Sequence, residues 1–286
     1  LLVLCEKSGE TGAAAPYTGS CDDLWQQEGE RSLKPVKRTM KLSNGQERPW
    51  IEYMSEGCKE QKLPLVFCLH GGGTDGYHAF KCCGLLETAE IYPMIIVSPF
   101  IDDIPRNFDM RPESEIISLA KEFFDHICKV YQGMYNKIYI AGYSIGEMTA
   151  FQFCRKYGNR IDGFIGAVGP GPREIFVEEG GRICPPEFGI PAFLWRGSED
   201  YSYALYKTGE KEDAVQGQVC AEYKEYWMLW NQTKSCVRTE TEEYLIEKYQ
   251  GEKAPLICVT AKGRGHGDEE EVLRMAWEMC GFAKET

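Results

Sequence analysis

The sequence predicts an α/β protein with a mostly parallel central sheet and helices on both of its faces. Short apolar runs, typical of buried parallel strands, alternate along the chain with segments whose apolar residues recur at helical spacing. Glycine-rich loops follow several of these runs, as expected where strands end. The chain has 286 residues and is 43% hydrophobic, which suffices for one large core. We therefore expect a single domain over residues 36–286, preceded by an N-terminal extension, residues 1–35, with little regular structure.

The predicted strands are apolar runs bounded by turn residues. The first two flank Ser43-Asn44-Gly45-Gln46, which is a strong hairpin signal. In order, the predicted strands are Val36–Leu42, Trp50–Met54, Leu63–Leu69, Met94–Pro99, Lys137–Ile140, Ile161–Val168, Ala192–Trp195 and Leu256–Thr260. The predicted helices are a short one ending at Glu87–Tyr92, then Glu113–Tyr131, Met148–Tyr157, Val219–Trp230 and Glu269–Phe282. The second of these helices has a continuous apolar face.

Composition excludes several classes of protein. The net charge is −12, which argues against nucleic-acid binding because that needs a basic face. No apolar run approaches the roughly 18 residues of a membrane-spanning helix. The 13 cysteines include no C-x-x-C pair, so a metal site of the zinc type is not expected. Several cysteines lie inside apolar runs, as buried free thiols do, and this predicts a reducing, cytoplasmic location. A processed secreted chain or a longer parent chain is the alternative.

The chain carries a G-x-S-x-G motif at Gly142-Tyr143-Ser144-Ile145-Gly146, between a predicted strand and a predicted helix. In that context the serine sits on a tight, strained turn with its hydroxyl exposed above the sheet. The glycines avoid collisions that larger side chains would make with the strand or the helix. We therefore predict that Ser144 is a nucleophile.

A serine nucleophile needs a histidine to take its proton and a carboxylate to orient that histidine. Of the four histidines, only His266 follows Ser144, and it lies in a glycine-flanked loop after the last predicted strand. The order serine, acid, histidine is the one associated with this motif. The sequence therefore predicts His266 as the base.

Asp200 is the predicted acid because it follows a strand, Ala192–Trp195, through a Gly-Ser turn and lies between the serine and the histidine. Its neighbour Glu199 is the first rival. Two further carboxylates remain as weaker candidates, Asp213 and Asp268.

The segment His70-Gly71-Gly72-Gly73 follows the predicted central strand. Glycines at a strand end let the backbone turn and expose its N–H groups, which can stabilise an oxyanion. The predicted donors are the N–H of Ile145 and one from the glycine loop, with Gly72 as first choice and Gly71 as second. His70 is expected to shape this backbone rather than to titrate.

Four segments together resemble the α/β-hydrolase superfamily: the glycine loop, the G-x-S-x-G motif, Gly197-Ser198-Glu199-Asp200 and Gly265-His266-Gly267. Within it, the chain is similar to the esterases grouped with polyhydroxyalkanoate depolymerases, feruloyl esterases and acetylxylan esterases. A further set, Trp227, Trp230, Asn231 and Cys236, resembles that group's W…N-x-C stretch. The resemblance covers Val36–Phe282. Glu147 stands where such relatives often have a second glycine, and we expect it to alter helix packing or substrate charge preference.

The resemblance implies an α/β-hydrolase fold and hydrolysis of small carboxylic esters through an acyl-enzyme, without a cofactor. The candidate substrates are feruloyl or other phenolic esters and acetyl esters of plant origin. Candidate substrate-binding residues are Tyr77, His78, Tyr143 and Tyr201, together with the loop Ile101–Pro112. Two alternatives remain: a serine peptidase or acyltransferase on the same fold, and a non-catalytic binding protein on a hydrolase scaffold. The sequence does not indicate an oligomeric state.

Overall fold

The structure is a computed structural model that describes residues 34–56, 60–101, 114–178, 181–267 and 270–282. Nearly all of the predicted extension, most of the loop Ile101–Pro112 and the rival acid Asp268 lie outside the described residues.

The described chain forms one ten-stranded sheet. The strands in chain order are β1 Val36–Lys41, β2 Glu47–Met54, β3 Leu63–Leu69, β4 Ile95–Pro99, β5 Tyr135–Tyr143, β6 Gly163–Ala167, β7 Ala192–Gly197, β8 Thr233–Glu240, β9 Tyr244–Gly251 and β10 Leu256–Ala261. Their spatial order is β1-β2-β4-β3-β5-β6-β7-β10-β9-β8. The chain thus crosses over between strands that are not neighbours in sequence.

The six central strands, β4, β3, β5, β6, β7 and β10, run parallel to one another. Every residue of β3, β4 and β6 is buried, as expected for parallel strands covered on both faces. The antiparallel pairs lie at the two edges, with β1–β2 on one side and β9–β8 on the other. The carboxyl ends of the parallel strands therefore meet at one edge of the central sheet, where ligand sites of such sheets form.

Helices cover both faces of the sheet. They are α1 Gly76–Cys82, α2 Leu85–Ile91, α3 Glu115–Val130, α4 Ile145–Tyr157, α5 Ser202–Thr208, α6 Asp213–Asn231 and α7 Val272–Met279. Buried residues of α3, α4 and α6 form one apolar core against the sheet, and those of α1, α2 and α7 form a second core on the other face. The predicted α/β class is confirmed.

Several predicted boundaries were wrong. The helix after Ser144 begins at Ile145, three residues before the predicted start, because its first turn carries a glycine and looks like a loop. The strands β8 and β9 were not predicted at all. Seven of the eight residues of β8 are exposed, so this strand lacks the apolar alternation that identifies a half-buried strand.

Candidate active site

Ser144 follows the last residue of β5 and precedes the first residue of α4. Its backbone has φ 54° and ψ −124°, a conformation that non-glycine residues rarely adopt and that costs free energy. Two hydrogen bonds hold it there: the Ser144 N–H donates to the carbonyl of Ala167 at 2.8 Å, and the Glu147 N–H donates to the Ser144 carbonyl at 2.9 Å. The side chain is half-buried at the end of the parallel strands.

The two motif glycines are required by close backbone approaches. A Cβ on Gly142 would lie 2.4 Å from the carbonyl oxygen of Gly146, and a Cβ on Gly146 would lie 2.1 Å from the carbonyl oxygen of Leu69. Both distances are far below van der Waals contact. The helix can therefore start directly against β3 and β5 only when these positions lack side chains.

His266 lies in the loop after β10, and its Nε2 is 2.9 Å from the Ser144 Oγ. Its Nδ1 is 3.2 Å from each carboxylate oxygen of Asp200. A proton on Nδ1 satisfies the carboxylate and leaves Nε2 free to accept the serine proton, so the Asp200 contact selects this tautomer. The structure thus brings the predicted nucleophile, base and acid into one hydrogen-bonded chain.

Asp200 is the carboxylate in contact with the histidine. It follows β7, is 3% exposed and also accepts the Ser202 N–H at 2.9 Å on Oδ1, which orients the carboxylate. The rival Glu199 has an exposed side chain. Asp213 instead accepts the hydroxyl of Tyr201 at 2.6 Å.

The loop after β7, which carries Asp200, and the loop after β10, which carries His266, are joined by backbone hydrogen bonds. The Ser198 N–H donates to the backbone carbonyl of Ala261, and the Glu199 N–H donates to the backbone carbonyl of Arg264, both at 2.8 Å. A Cβ on Gly197 would lie 2.1 Å from the Arg264 carbonyl oxygen. This close approach follows from the parallel pairing of β7 with β10 and fixes Asp200 relative to His266.

The glycine loop after β3 lies beside the serine turn. A Cβ on Gly72 would lie 3.4 Å from Ile145 Cγ2, and one on Gly71 would lie 3.6 Å from Ser144 Cβ. The Gly71 carbonyl accepts from Thr74 Oγ1 at 2.7 Å and lies 2.8 Å from His70 Nδ1. Because a trans peptide directs its C=O and N–H in opposite directions, these contacts point the Gly72 N–H away from His70.

His70 supports this backbone through both ring nitrogens. Its Nε2 accepts the Ile101 N–H at 3.0 Å, which leaves Nδ1 as the donor toward the Gly71 carbonyl. The ring is 2% exposed. His70 therefore fixes the orientation of the first glycine peptide.

No protein-family model matches the sequence, and a search of curated proteins finds no match. Three similar solved structures are a ferulic acid esterase, an acetyl xylan esterase from Aspergillus awamori and an S-formylglutathione hydrolase from Agrobacterium tumefaciens. The first is 14% identical with a TM-score of 0.58 and matches 88% of this chain and 98% of its own. The second is 13% identical with a TM-score of 0.57, and the match covers 87% of this chain and 100% of that chain. The third is 12% identical with a TM-score of 0.57, and the match covers 90% of this chain and 97% of that chain. The chain has the α/β-hydrolase fold. At these identities the likeness concerns the fold.

Within this α/β-hydrolase fold, one of the aromatic substrate-binding candidates, Tyr143, lies close to the histidine and also contacts a second candidate, His78. The ring of Tyr143 is buried, with its centroid 5.7 Å from that of His266 and 6.0 Å from that of His78. Tyr77 packs edge-on against Phe100 at 6.3 Å. Tyr201, the fourth candidate, follows Asp200 directly and is bonded to Asp213 as described above.

Sequence reasoning missed the turn at Val168–Gly169, which supports the serine from beneath. A Cβ on Gly169 would lie 1.9 Å from the Ser144 carbonyl oxygen. Val168 has φ 55°, a strained value for a β-branched residue, and its N–H donates to Trp195 at 3.0 Å. The sequence shows only that Gly169-Pro170 ends a strand. The close approach depends on the packing of β6 beside β5.

Glu147 holds that turn. Its Oε2 accepts the Gly169 N–H at 2.6 Å, and its side chain is buried beneath the serine turn. The departure from glycine at this position was visible in the sequence, and the structure shows that it fills space against the end of β6 rather than facing solvent. A Cβ on Gly166 would overlap its Oε1, at 2.2 Å.

Among the described residues, no group of three or more His, Cys, Asp or Glu is arranged to hold a metal ion. The same part of the chain contains no helix with the length and apolar character needed to cross a membrane. All nine cysteines whose side chains the structure describes are free thiols.

Proposed function

We propose that this protein is a serine carboxylesterase that hydrolyses small carboxylic esters through an acyl-enzyme. The observation that carries the proposal is the continuous contact from Ser144 Oγ to His266 Nε2, at 2.9 Å, and from His266 Nδ1 to the buried Asp200. This is the geometry that a serine nucleophile needs to lose its proton as it attacks. The esterases and hydrolases among the similar structures share the fold and support the same class of reaction.

In the acylation step, Ser144 Oγ attacks the ester carbonyl while His266 Nε2 takes the serine proton. Asp200 stabilises the imidazolium that forms. We assign the oxyanion donors to the N–H groups of Ile145 and Gly72, with Gly71 as the second choice in the loop. His266 then gives its proton to the departing alcohol, and the acyl group remains on Ser144.

In the deacylation step, the same groups act on water. His266 removes a proton from a water molecule, which attacks the acyl carbonyl, and the collapse of the second tetrahedral intermediate returns the proton to Ser144. The carboxylic acid leaves. Each proton taken by the imidazole is returned within the cycle, so the reaction needs ester and water alone.

The substrate class within esters is the finer part of the proposal. Two of the similar structures are a ferulic acid esterase and an acetyl xylan esterase, so phenolic and acetyl esters are the first candidates. Tyr143 places an aromatic ring beside His266, and the ring of His78 packs against Tyr143. Such rings can contact an aromatic acyl group by stacking or edge-on packing.

The test is hydrolysis of a panel of esters by the wild type and by Ser144→Ala. The panel contains nitrophenyl acetate, butyrate and a longer-chain ester, methyl ferulate and an acetylated sugar. We expect turnover of at least one ester and a loss of about a thousandfold or more in Ser144→Ala, the scale seen when a nucleophile is removed. Hydrolysis that survives in Ser144→Ala, or an inactive wild type, would overturn the proposal. Preference for methyl ferulate indicates an aromatic acyl site, and preference for acetyl esters indicates a short one.

A further inference from the structure

Glu147 is a buried carboxyl that none of the proposed chemical steps uses. It lies in the first turn of α4, three residues after Ser144, and is 2% exposed. Through its bond to the Gly169 N–H it fastens the Val168–Gly169 turn to the helix that begins at the nucleophile. Because that turn touches the Ser144 carbonyl and Ala167 accepts the Ser144 N–H, the carboxyl supports the nucleophile's backbone from below.

The turn needs such a support because it is strained. Val168 keeps a positive φ of 55°, which costs free energy for a β-branched residue and persists only where neighbouring contacts enforce it. The Trp195 carbonyl holds the turn at the Val168 N–H, and Glu147 holds it at the Gly169 N–H. Without the bond from Glu147, the turn would be held by one hydrogen bond, the one from the Val168 N–H to the Trp195 carbonyl.

Two titratable groups face the Glu147 carboxyl from other elements. Tyr223 approaches from α6 and Asp200 from the loop after β7. Burial raises the pKa of Glu147 to about 8, the Asp200 charge adds to this rise, and the Gly169 N–H and the Tyr223 phenol oppose it. The carboxyl is therefore neutral at pH 7, and its ionisation would place a second negative charge near the acid of the site.

A cavity of about 120 Å³ gives this carboxyl a route to water. The cavity lies between α6 and the strands β7 and β10, with Glu147 and Tyr223 on its wall. A water molecule needs about 10–15 Å³ of such volume, so several fit. The other titratable groups on the wall are Arg196, Cys220, Lys224, Glu247 and Cys258.

We propose that Glu147 is a positioning residue for Ser144, whose protonated carboxyl fastens the Val168–Gly169 turn beneath the nucleophile and whose ionisation lowers turnover. The inference rests on the proposed esterase function, and it describes how the turnover of that same site depends on pH. On ionisation, the carboxylate faces Asp200 in a site where it is poorly hydrated. The Gly169 N–H favours the ionised form, so the carboxylate keeps this bond. The added negative charge lies beneath the Ser144 turn, and it repels the negative charge that develops on the substrate oxygen in the tetrahedral intermediate.

The experiment compares the pH dependence of kcat and KM in the wild type, Glu147→Gln and Glu147→Leu. Wild-type kcat should fall about tenfold per pH unit above pH 8, as for one ionising group. Glu147→Gln stays neutral and keeps an oxygen for the Gly169 N–H, so its kcat should stay within about threefold of the wild type at pH 7 and lack the fall near pH 8. Glu147→Leu cannot accept the bond. Its kcat should drop about tenfold or more with KM little changed, the pattern of a misplaced reacting group.

Glu199→Gln is the matched control, because it removes an exposed carboxylate next to Asp200 and should leave the pH profile unchanged. Circular dichroism of each variant checks the fold, and if Glu147→Leu fails to fold, the Glu147→Gln profile decides alone. A fall near pH 8 that persists in Glu147→Gln, or a Glu147→Leu enzyme with wild-type kcat, would overturn the inference. Those results differ from failure of the proposed function, which appears as an inactive wild type or an active Ser144→Ala.

Discussion

At the scale of single residues, the site depends on which side chains are absent as much as on which are present. Gly142, Gly146 and Gly169 each sit where one added methyl group would overlap backbone atoms of the serine turn or its neighbours. Ser144 itself is strained, and hydrogen bonds from both sides keep it so. The backbone strain at Ser144 costs free energy, and it holds the Ser144 hydroxyl in a fixed position, as is common at functional sites.

Asp200→Asn should separate the acid from its rival. The amide can present an N–H to His266, which favours the wrong tautomer, so kcat should fall about a thousandfold or more while KM changes little. The side chain of Glu199 is exposed, and the described hydrogen bonds of the His266 ring go to Asp200 and Ser144. Glu199→Gln should therefore keep kcat within about threefold of the wild type.

Steady-state kinetics of the two variants on one ester make the comparison. If Glu199→Gln shows the larger loss, the orienting role belongs to Glu199 and the assignment of Asp200 is wrong. The two variants each remove one negative charge, so a difference between them reflects position and not net charge.

The sequence was sufficient for the residues that contact each other through short motifs. The nucleophile, base and acid were predicted from chain order and from glycines at strand ends, and the structure places them within hydrogen-bond distance. Their roles stay a prediction until activity is measured. The support from Val168–Gly169 was not predictable, because it depends on how two strands pack side by side.

At the scale of whole elements, buried strands and helices were predicted from the sequence more accurately than exposed ones. The strand β3 was predicted with its observed bounds, Leu63–Leu69, because a fully buried parallel strand is a continuous apolar run. The hairpin of β8 and β9 was missed because seven of the eight residues of β8 are exposed and one of the eight residues of β9 is buried. The short helix α5 was missed for a related reason, since one of its seven residues is buried.

Asn231→Ala should destabilise the elements that carry the acid and the base. Its fully buried side chain joins the end of α6 to the segments before β7 and β10: it accepts the Ile190 N–H at 3.1 Å and donates to the carbonyls of Ile190 at 2.8 Å and Pro255 at 3.3 Å. Alanine leaves the Ile190 N–H and carbonyl without this partner, while the Pro255 carbonyl keeps the Ala192 N–H at 3.0 Å. The free energy of unfolding should fall by about 2–4 kcal/mol, since each unsatisfied buried group costs about 1–3 kcal/mol.

Urea unfolding at constant m-value measures this loss. Asn44→Ala is the matched control, because that exposed side chain accepts only the local Gln46 N–H at 2.9 Å among its described bonds. Its cost should stay below about 1 kcal/mol. Equal losses in the two variants would show that the Asn231 bridge contributes nothing beyond an ordinary side-chain truncation.

At the scale of the whole molecule, the sheet gathers residues far apart in sequence at one edge. Ser144 follows β5, Asp200 follows β7 and His266 follows β10. In the parallel part of the sheet β7 pairs with β10, and one strand, β6, separates β5 from β7. Glu147 couples this edge to the stability of the entire chain, because a buried ionisable group makes folding depend on pH.

The free energy of unfolding of the wild type should fall relative to Glu147→Gln as pH rises from about 4.5 to about 8. In the unfolded chain, Glu147 ionises near its ordinary pKa of 4.5, whereas burial holds the pKa at about 8 in the folded protein. Between these values the folded state binds more protons than the unfolded state, so stability decreases with increasing pH. The stabilising contribution is complete below pH 4.5 and is lost as pH passes through about 8. At about 1.4 kcal/mol per unit of pKa shift, the total change is of the order of 3–5 kcal/mol.

Glutamine carries no proton to lose, so subtraction of the two unfolding curves at each pH cancels every other titrating group and leaves the Glu147 contribution. Denaturant unfolding of both proteins at intervals between pH 5 and 8.5 gives this difference. It should grow in favour of Glu147→Gln across that range and level off above it. Parallel stability curves would mean that the folded chain ionises Glu147 as easily as the unfolded one. The carboxyl would then be hydrated through the cavity, and its ionisation would not add an unhydrated charge beneath Ser144.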